Sequence, residues 1–248
     1  MCEAFSCLVT RGDKVYWKAG QDSHDEIISM FQAEDHNLLD DKAPPLNTFA
    51  RVEIVPPNEN YLNTNFSEWK FKIDENIVPF FITGDGTYEE LCRQALLEWT
   101  KEVYTFNISE ARNPIHPFKI TAPIITKDHL CLLKQWDSVR DSVGNSVVNS
   151  VWNSVGDSVW NSVRNSVWNS VVNSVRDSVW VYMGSLFPIL EWKYIDYNNP
   201  LFKKNIYPFQ SAVDLWKQGL VSSFDGKLWR LHGGLEGKTL WKGTVDSI

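Results

Sequence analysis

DSVRDSVGNSVVNSVWNSVGDSVWNSVRNSVWNSVVNSVRDSVW, residues 137–180, is a run of eleven four-residue units of the form Asp/Asn-Ser-Val-x. Ser holds the second place and Val the third in every unit. The fourth place is filled in turn by Arg140, Gly144, Val148, Trp152, Gly156, Trp160, Arg164, Trp168, Val172, Arg176 and Trp180. No packed cavity accepts Gly, Arg and Trp alike, so the fourth place is expected to face solvent and Val to face inward.

Three conformations compete for this array. In a short-repeat β-solenoid, each Ser-Val-x strand points Val inward and Asn or Asp turns the corner, because those residues tolerate left-handed backbone and bond their own main chain. Stacked coils then pair every backbone group with the coil above or below. In a long α-helix, the Val stripe advances about 40° per unit and winds round the axis. Asn, Asp, Ser, Val and Gly are also poorer helix formers than Ala. Ser at every fourth position does allow a second helix to approach closely. In the third reading the array is a disordered relic of gene slippage. Single first-base changes interconvert Trp, Arg and Gly codons, and Asn and Asp codons, but the invariant Val and the four Trp are too apolar for a solvated tail. The solenoid is the preferred reading and the long helix its alternative.

Outward from the array the chain reads as ordinary globular sequence. Residues 1–104 are expected to form an α+β domain, 105–187 the solenoid with its caps, and 188–248 a small α+β module of one helix and a β-meander. Cys7–Thr10 and Lys14–Lys18 flank Arg11-Gly12-Asp13 as a hairpin. Ser23-x-x-Glu26 opens a helix with a capping box. Phe49–Val55 and Trp69–Ile73 read as strands, and Thr87-x-x-Glu90 starts a helix to about Tyr104. Near the end, Ser211 caps a short helix that Gly219 terminates, and Phe224-Asp225-Gly226-Lys227 forms a tight turn of the meander.

Several blocks resemble a known family. They are Ala4-Phe5-Ser6-Cys7-Leu8-Val9-Thr10, Lys14-Val15-Tyr16-Trp17-Lys18, Asp22-Ser23-His24-Asp25-Glu26-Ile27-Ile28, and the run Phe49 to Asn58. They resemble the N-terminal domain of an uncharacterised family common in bacteriophage and bacterial genomes, whose members continue into short Asn-Ser-x-Val-type repeats that read as β-solenoids. Tyr207-Pro208-Phe209-Gln210, Ser222 to Lys227 and Trp229-Arg230-Leu231-His232 resemble a tail found in such proteins. The resemblance implies a phage-encoded or bacterial protein and favours the solenoid. It carries no established activity or catalytic residues.

Bulk properties narrow the function. The net charge of −7 argues against a general nucleic-acid binder. Met1-Cys2-Glu3-Ala4-Phe5 lacks a basic leader, and no run approaches about 18 apolar residues. No membrane partner is therefore expected, and the expected location is the cytoplasm, that of the host cell if the protein is phage-encoded. Cys2, Cys7, Cys92 and Cys131 show no CxxC spacing, so neither a zinc site nor a disulfide framework is implied.

Motifs for chemistry are sparse. None of His24, His36, His116, His129 and His232 lies in metal-ligand spacing, and no cofactor motif is present. His24-Asp25-Glu26 is the one dense cluster. It reads either as an acid–base or metal pair or, preferably, as the polar first turn of a helix, where acidic residues favour the positive dipole end. The array surface is the better binding candidate. Trp152, Trp160, Trp168 and Trp180 interleave with Arg140, Arg164 and Arg176, and Trp and Arg dominate binding hot spots. Packing of these side chains on neighbouring structure or on another copy is preferred over a specific ligand site. The expected function is a non-enzymatic interaction or structural scaffold, engaging a protein partner or itself through the repeat surface. Two alternatives are a phage counter-defence protein sequestering a nucleotide-like signal, and a hydrolase built on His24, Asp25 and Glu26.

Overall fold

The computed structural model describes residues 5–32, 48–170 and 176–245, with side chains at all of these except 144–145, 167–170 and 176. The chain forms two compact units, one of residues 1–105 with 152–162, the other of residues 106–151 with 163–248.

The first unit is built on a four-stranded antiparallel sheet in the order β2-β1-β3-β4, with β1 Ser6–Thr10, β2 Val15–Tyr16, β3 Phe49–Val55 and β4 Lys70–Ile73. Helix α1, His24–Gln32, packs Ile27, Ile28 and Phe31 on Leu8 and Phe49 of one sheet face. Helix α2, Thr87–Val103, lies on the opposite face, where Trp99 meets Phe5 edge-on at 5.6 Å. Both faces are thus covered, and all five residues of β1 are buried. This is why β1 reads as a continuous apolar run and not as an alternation. Cys7 and Cys92 meet inside the same core, where burial pushes the Cys7 thiol well up and Cys92 raises it further. A buried thiol held in this way carries little thiolate, the form that reacts as a nucleophile.

The second unit combines helices α3 Ile108–Arg112, α4 Lys127–Val139, α6 Arg176–Gly184 and α7 Gln210–Lys217 with a meander, β5 Leu220–Phe224, β6 Trp229–Gly233 and β7 Lys238–Gly243. Tyr182 of α6 stacks on Trp216 of α7 at 5.1 Å and 13°. The Tyr182 hydroxyl donates to Glu110 and accepts from the Ile115 N–H. Gly219, at φ 80°, turns the chain from α7 directly into β5. The helix, the tight turn and the meander stand where the sequence places them. Ser211 is a correction: it lies inside α7, buried, with Phe209 at the cap.

The solenoid is overturned. The described part of the array is helical: the end of α4, a tight turn at Arg140–Ser142, helix α5 Val143–Ser170, and α6. The winding stripe that spoke against a helix is handled by interruption. Val139, at φ −122°, ends the first segment, and Gly156, at φ 78° and ψ 171°, breaks α5 in two. Between the breaks Val143, Val147, Val151 and Val155 turn through only about 120°, the width of an ordinary buried helix face. These four valines are buried, as are Val159 and Val163 beyond the break. Val is inward as expected, but on helices.

The fourth place is a second correction. Trp160 is 4% exposed. Gly156 has no room for a side chain, because a Cβ there would overlap the Asp22 carboxylate. That carboxylate accepts from the N–H groups of Asp157 and Ser158, so Asp22 caps the second half of α5. The serines also serve the interior. Ser150 Oγ accepts from the Lys193 N–H at 2.7 Å, and Ser166 Oγ donates to the Ala111 carbonyl at 2.7 Å. No helix among the described residues is long and apolar enough to cross a membrane.

Candidate metal centre

The first unit gathers His24, Glu53 and Asp74, whose ligating atoms all lie within 4.8 Å of one another. Three elements deliver them. Ser23 Oγ accepts from the Glu26 N–H and starts α1, which leaves His24 on the helix side facing the sheet, 2% exposed. Glu53 sits in mid-β3, directly opposite Ser6 of β1 and Lys72 of β4. Asp74 follows β4 and is tied back by its N–H to the Arg51 carbonyl at 2.9 Å.

Hydrogen bonding orients the imidazole. His24 Nε2 lies 3.1 Å from the Val52 carbonyl, which can only accept, so Nε2 carries a proton. Nδ1, the other ring nitrogen, stands 3.5 Å from Asp74 Oδ2. A backbone carbonyl holding the second ring nitrogen is the usual support of a metal-ligating His.

Glu53 is 1% exposed, and a buried carboxylate is costly unless a cation or several donors hold it. Lys72 supplies the charge, with Nζ 3.0 Å from Glu53 and 4.0 Å from Asp74. Lys72 itself is 58% exposed and reaches in from outside. Arg51, beside Glu53 on the same sheet face, pairs with Glu75 at 3.3 Å and Asp25 at 3.8 Å. Four carboxylates (Asp25, Glu53, Asp74, Glu75) thus surround two cations, Arg51 and Lys72. Within this group the carboxylates outnumber the Arg and Lys cations by two.

One nitrogen and two carboxylates form a donor set suited to Mn²⁺, Fe²⁺ or Zn²⁺. Oxygen and nitrogen ligands sharing such an ion stand about 3–4 Å apart. Closing the cluster to that size needs about 1 Å of movement, within reach of the Asp74 side chain, which is 41% exposed.

The His24-Asp25-Glu26 triplet does not converge. His24 points into the sheet, while Asp25 and Glu26 face solvent. His232 lies half-buried on β6, with Nε2 2.8 Å from Ser223 Oγ, and burial lowers its pKa. Sequence reasoning missed Glu53, Lys72 and Asp74. Glu53 reads as an outward strand residue between Val52 and Ile54, yet it is 1% exposed, on the sheet face on which α1 packs. The signal available was the charge itself, a carboxylate within an otherwise buried strand.

The array residues are spread over both units. Arg140 is engaged within the second unit, its guanidinium 4.3 Å from the Phe224 ring centre and 5.5 Å from that of Trp229, with Asp141 at 3.5 Å. Trp229 Nε1 donates to Asp137 beside it. Arg164 and Trp180 are half-buried. Trp152 and Trp160 belong to the first unit; Trp152 is 45% exposed and Trp160 is buried. The side chains of Trp168 and Arg176 lie outside the described residues.

Comparison of the chain with protein-family models, with curated proteins and with solved structures finds no match.

Proposed function

We propose that the first unit binds a divalent transition-metal ion through His24, Glu53 and Asp74, and that the ion's remaining coordination positions hold a ligand from solvent. The observation that carries this reading is the convergence of three ligating side chains, two of them buried, from α1, β3 and the end of β4. The preponderance of carboxylates around the cluster and the Val52 carbonyl that holds His24 Nε2 support it. The exposure of Asp74 leaves one side open, as in sites that bind a ligand and unlike closed structural sites. Isothermal titration with Mn²⁺, Zn²⁺ and Mg²⁺ tests it. Mn²⁺ or Zn²⁺ is expected to bind with one-site stoichiometry, ahead of Mg²⁺, and Asp74→Ala to abolish the heat. Undiminished binding by that variant overturns the reading.

A second reading is a non-enzymatic interaction protein of phage or bacterial origin. It is favoured by the exposed apolar residues Ile77, Val78 and Phe80 within one short segment of the first unit, and by Trp152. Exposed apolar residues close together are a feature of partner surfaces. Light scattering of the wild type against a Phe80→Ser/Val78→Ser variant tests self-association. A monomer in both cases, with no protein partner captured by the wild type, removes it.

A further inference from the structure

Lys72 occupies the position from which a metal ion would neutralise Glu53. Its ammonium lies 3.0 Å from Glu53 and 4.0 Å from Asp74, two of the three proposed ligands. A divalent ion held by those carboxylates and the Lys72 ammonium would stand within direct repulsion distance of one another. The lysine has to withdraw as the ion arrives, and the fold permits this. β4 is the edge strand of the sheet. The side chain is more than half exposed. Lysine is a compact charge on a flexible stem and holds no fixed planar geometry here.

A withdrawn Lys72 stays tethered at the rim of the site, within reach of any ligand that the metal carries. The open side of the cluster is that of Asp74, which is also the side from which Lys72 reaches in. Lys70, two residues along the same face of β4, is exposed there as well. Arg51 is already held by Glu75 and Asp25, so the mobile positive charge at this rim is lysine. A tetrahedral oxyanion suits both charges at once: one oxygen ligates the metal and another accepts from the ammonium.

Resting on the cation reading above, we propose that this site takes its metal ion together with an oxyanion of the phosphate class, with Lys72 passing from Glu53 to the oxyanion as the metal enters. Lys72 then plays two parts. Without the oxyanion it competes with the metal for Glu53. With it, Lys72 holds the second ligand. Metal and oxyanion therefore bind cooperatively, and the coupling is reciprocal.

The test is Mn²⁺ titration of the full chain with and without inorganic phosphate, kept below the concentration that precipitates Mn²⁺, with chloride as the ionic-strength control. Phosphate is expected to tighten Mn²⁺ binding about tenfold in the wild type, within the usual range of such couplings. Lys72→Met is expected to bind Mn²⁺ more tightly than the wild type when phosphate is absent, and to lose the response to phosphate. A lysine that merely satisfied Glu53 would instead give a variant with weaker folding and no gain in metal affinity. Mn²⁺ binding that ignores phosphate in the wild type overturns this inference and leaves the cation reading standing, as does coupling that survives in Lys72→Met. Absence of Mn²⁺ binding in both proteins overturns the cation reading, and the inference with it.

Discussion

Gly156 stands at φ 78° and ψ 171°, a backbone region that is essentially closed to other residues. It does two things at once: it interrupts α5, and it leaves room for the Asp22 carboxylate that caps the next segment. Gly156→Ala is expected to destabilise the protein by about 1–3 kcal/mol through backbone strain alone. Asp22→Ala is expected to cost about 1 kcal/mol, the usual value of a lost cap. The double variant should fall short of the sum, because an alanine at 156 already expels Asp22. Urea denaturation of the four proteins reads this directly, and additive losses would separate the two residues. Ser146 is the opposite case: among the described residues its buried Oγ has no hydrogen-bond partner. Ser146→Ala should leave stability unchanged or raise it by up to about 1 kcal/mol, since only an unsatisfied hydroxyl is removed; a clear loss in the same urea assay would show that the hydroxyl has a role. At this scale the sequence was legible in the valines and illegible at Gly156. A glycine at a variable position looks like tolerance, and the constraint on it comes from Asp22, which lies far away in the chain.

Among the elements, the strands of the first sheet, α2, α7 and the meander were all readable from alternation, turn residues and apolar period. The array was not. Its units are weak helix formers individually, and its period forbids one long straight helix, so the strand reading looked better. Burial of one face per segment outweighs propensity, and the breaks remove the phase problem. The first unit of the array also anchors the meander, through Arg140 on Phe224 and Trp229. Arg140→Ala is expected to lower stability by about 1 kcal/mol, and Arg140→Lys to recover only part of it, since an ammonium does not stack as a guanidinium does. Thermal unfolding would report both, and full rescue by Lys would show that charge, not stacking, matters. The hairpin turn next to it has its own pH signature. The Asp225 carboxyl is held well below the usual carboxylate range by the Leu228 N–H, the Arg230 guanidinium and the Lys227 N–H. Its contribution is fully present above the ordinary carboxylate pKa and is lost as pH falls through the depressed folded-state value. Asp225→Asn should therefore narrow the gap in stability between neutral and strongly acidic solution. An unchanged acid limb would contradict this.

For the molecule as a whole, the candidate site was invisible in the sequence because no two of its ligands are near neighbours. The pairing of β1, β3 and β4 and the packing of α1 bring His24, Glu53 and Asp74 together. Short-range spacing rules recognise sites carried on one helix or loop, not sites assembled across a sheet. If the ion binds the folded chain alone, it must also stabilise that chain: at a hundredfold excess over its dissociation constant the gain is about 2.7 kcal/mol. The melting temperature should rise with Mn²⁺ in the wild type and stay fixed in Asp74→Ala. A rise in both would place the ion elsewhere.

The interrupted array has a consequence for inheritance. A tract this monotonous invites copying slips that add or drop one quartet. Each slip within a helical segment would rotate everything downstream by about 40°. The stretch that looks most expendable on the page is therefore the one whose copy number the fold polices most strictly.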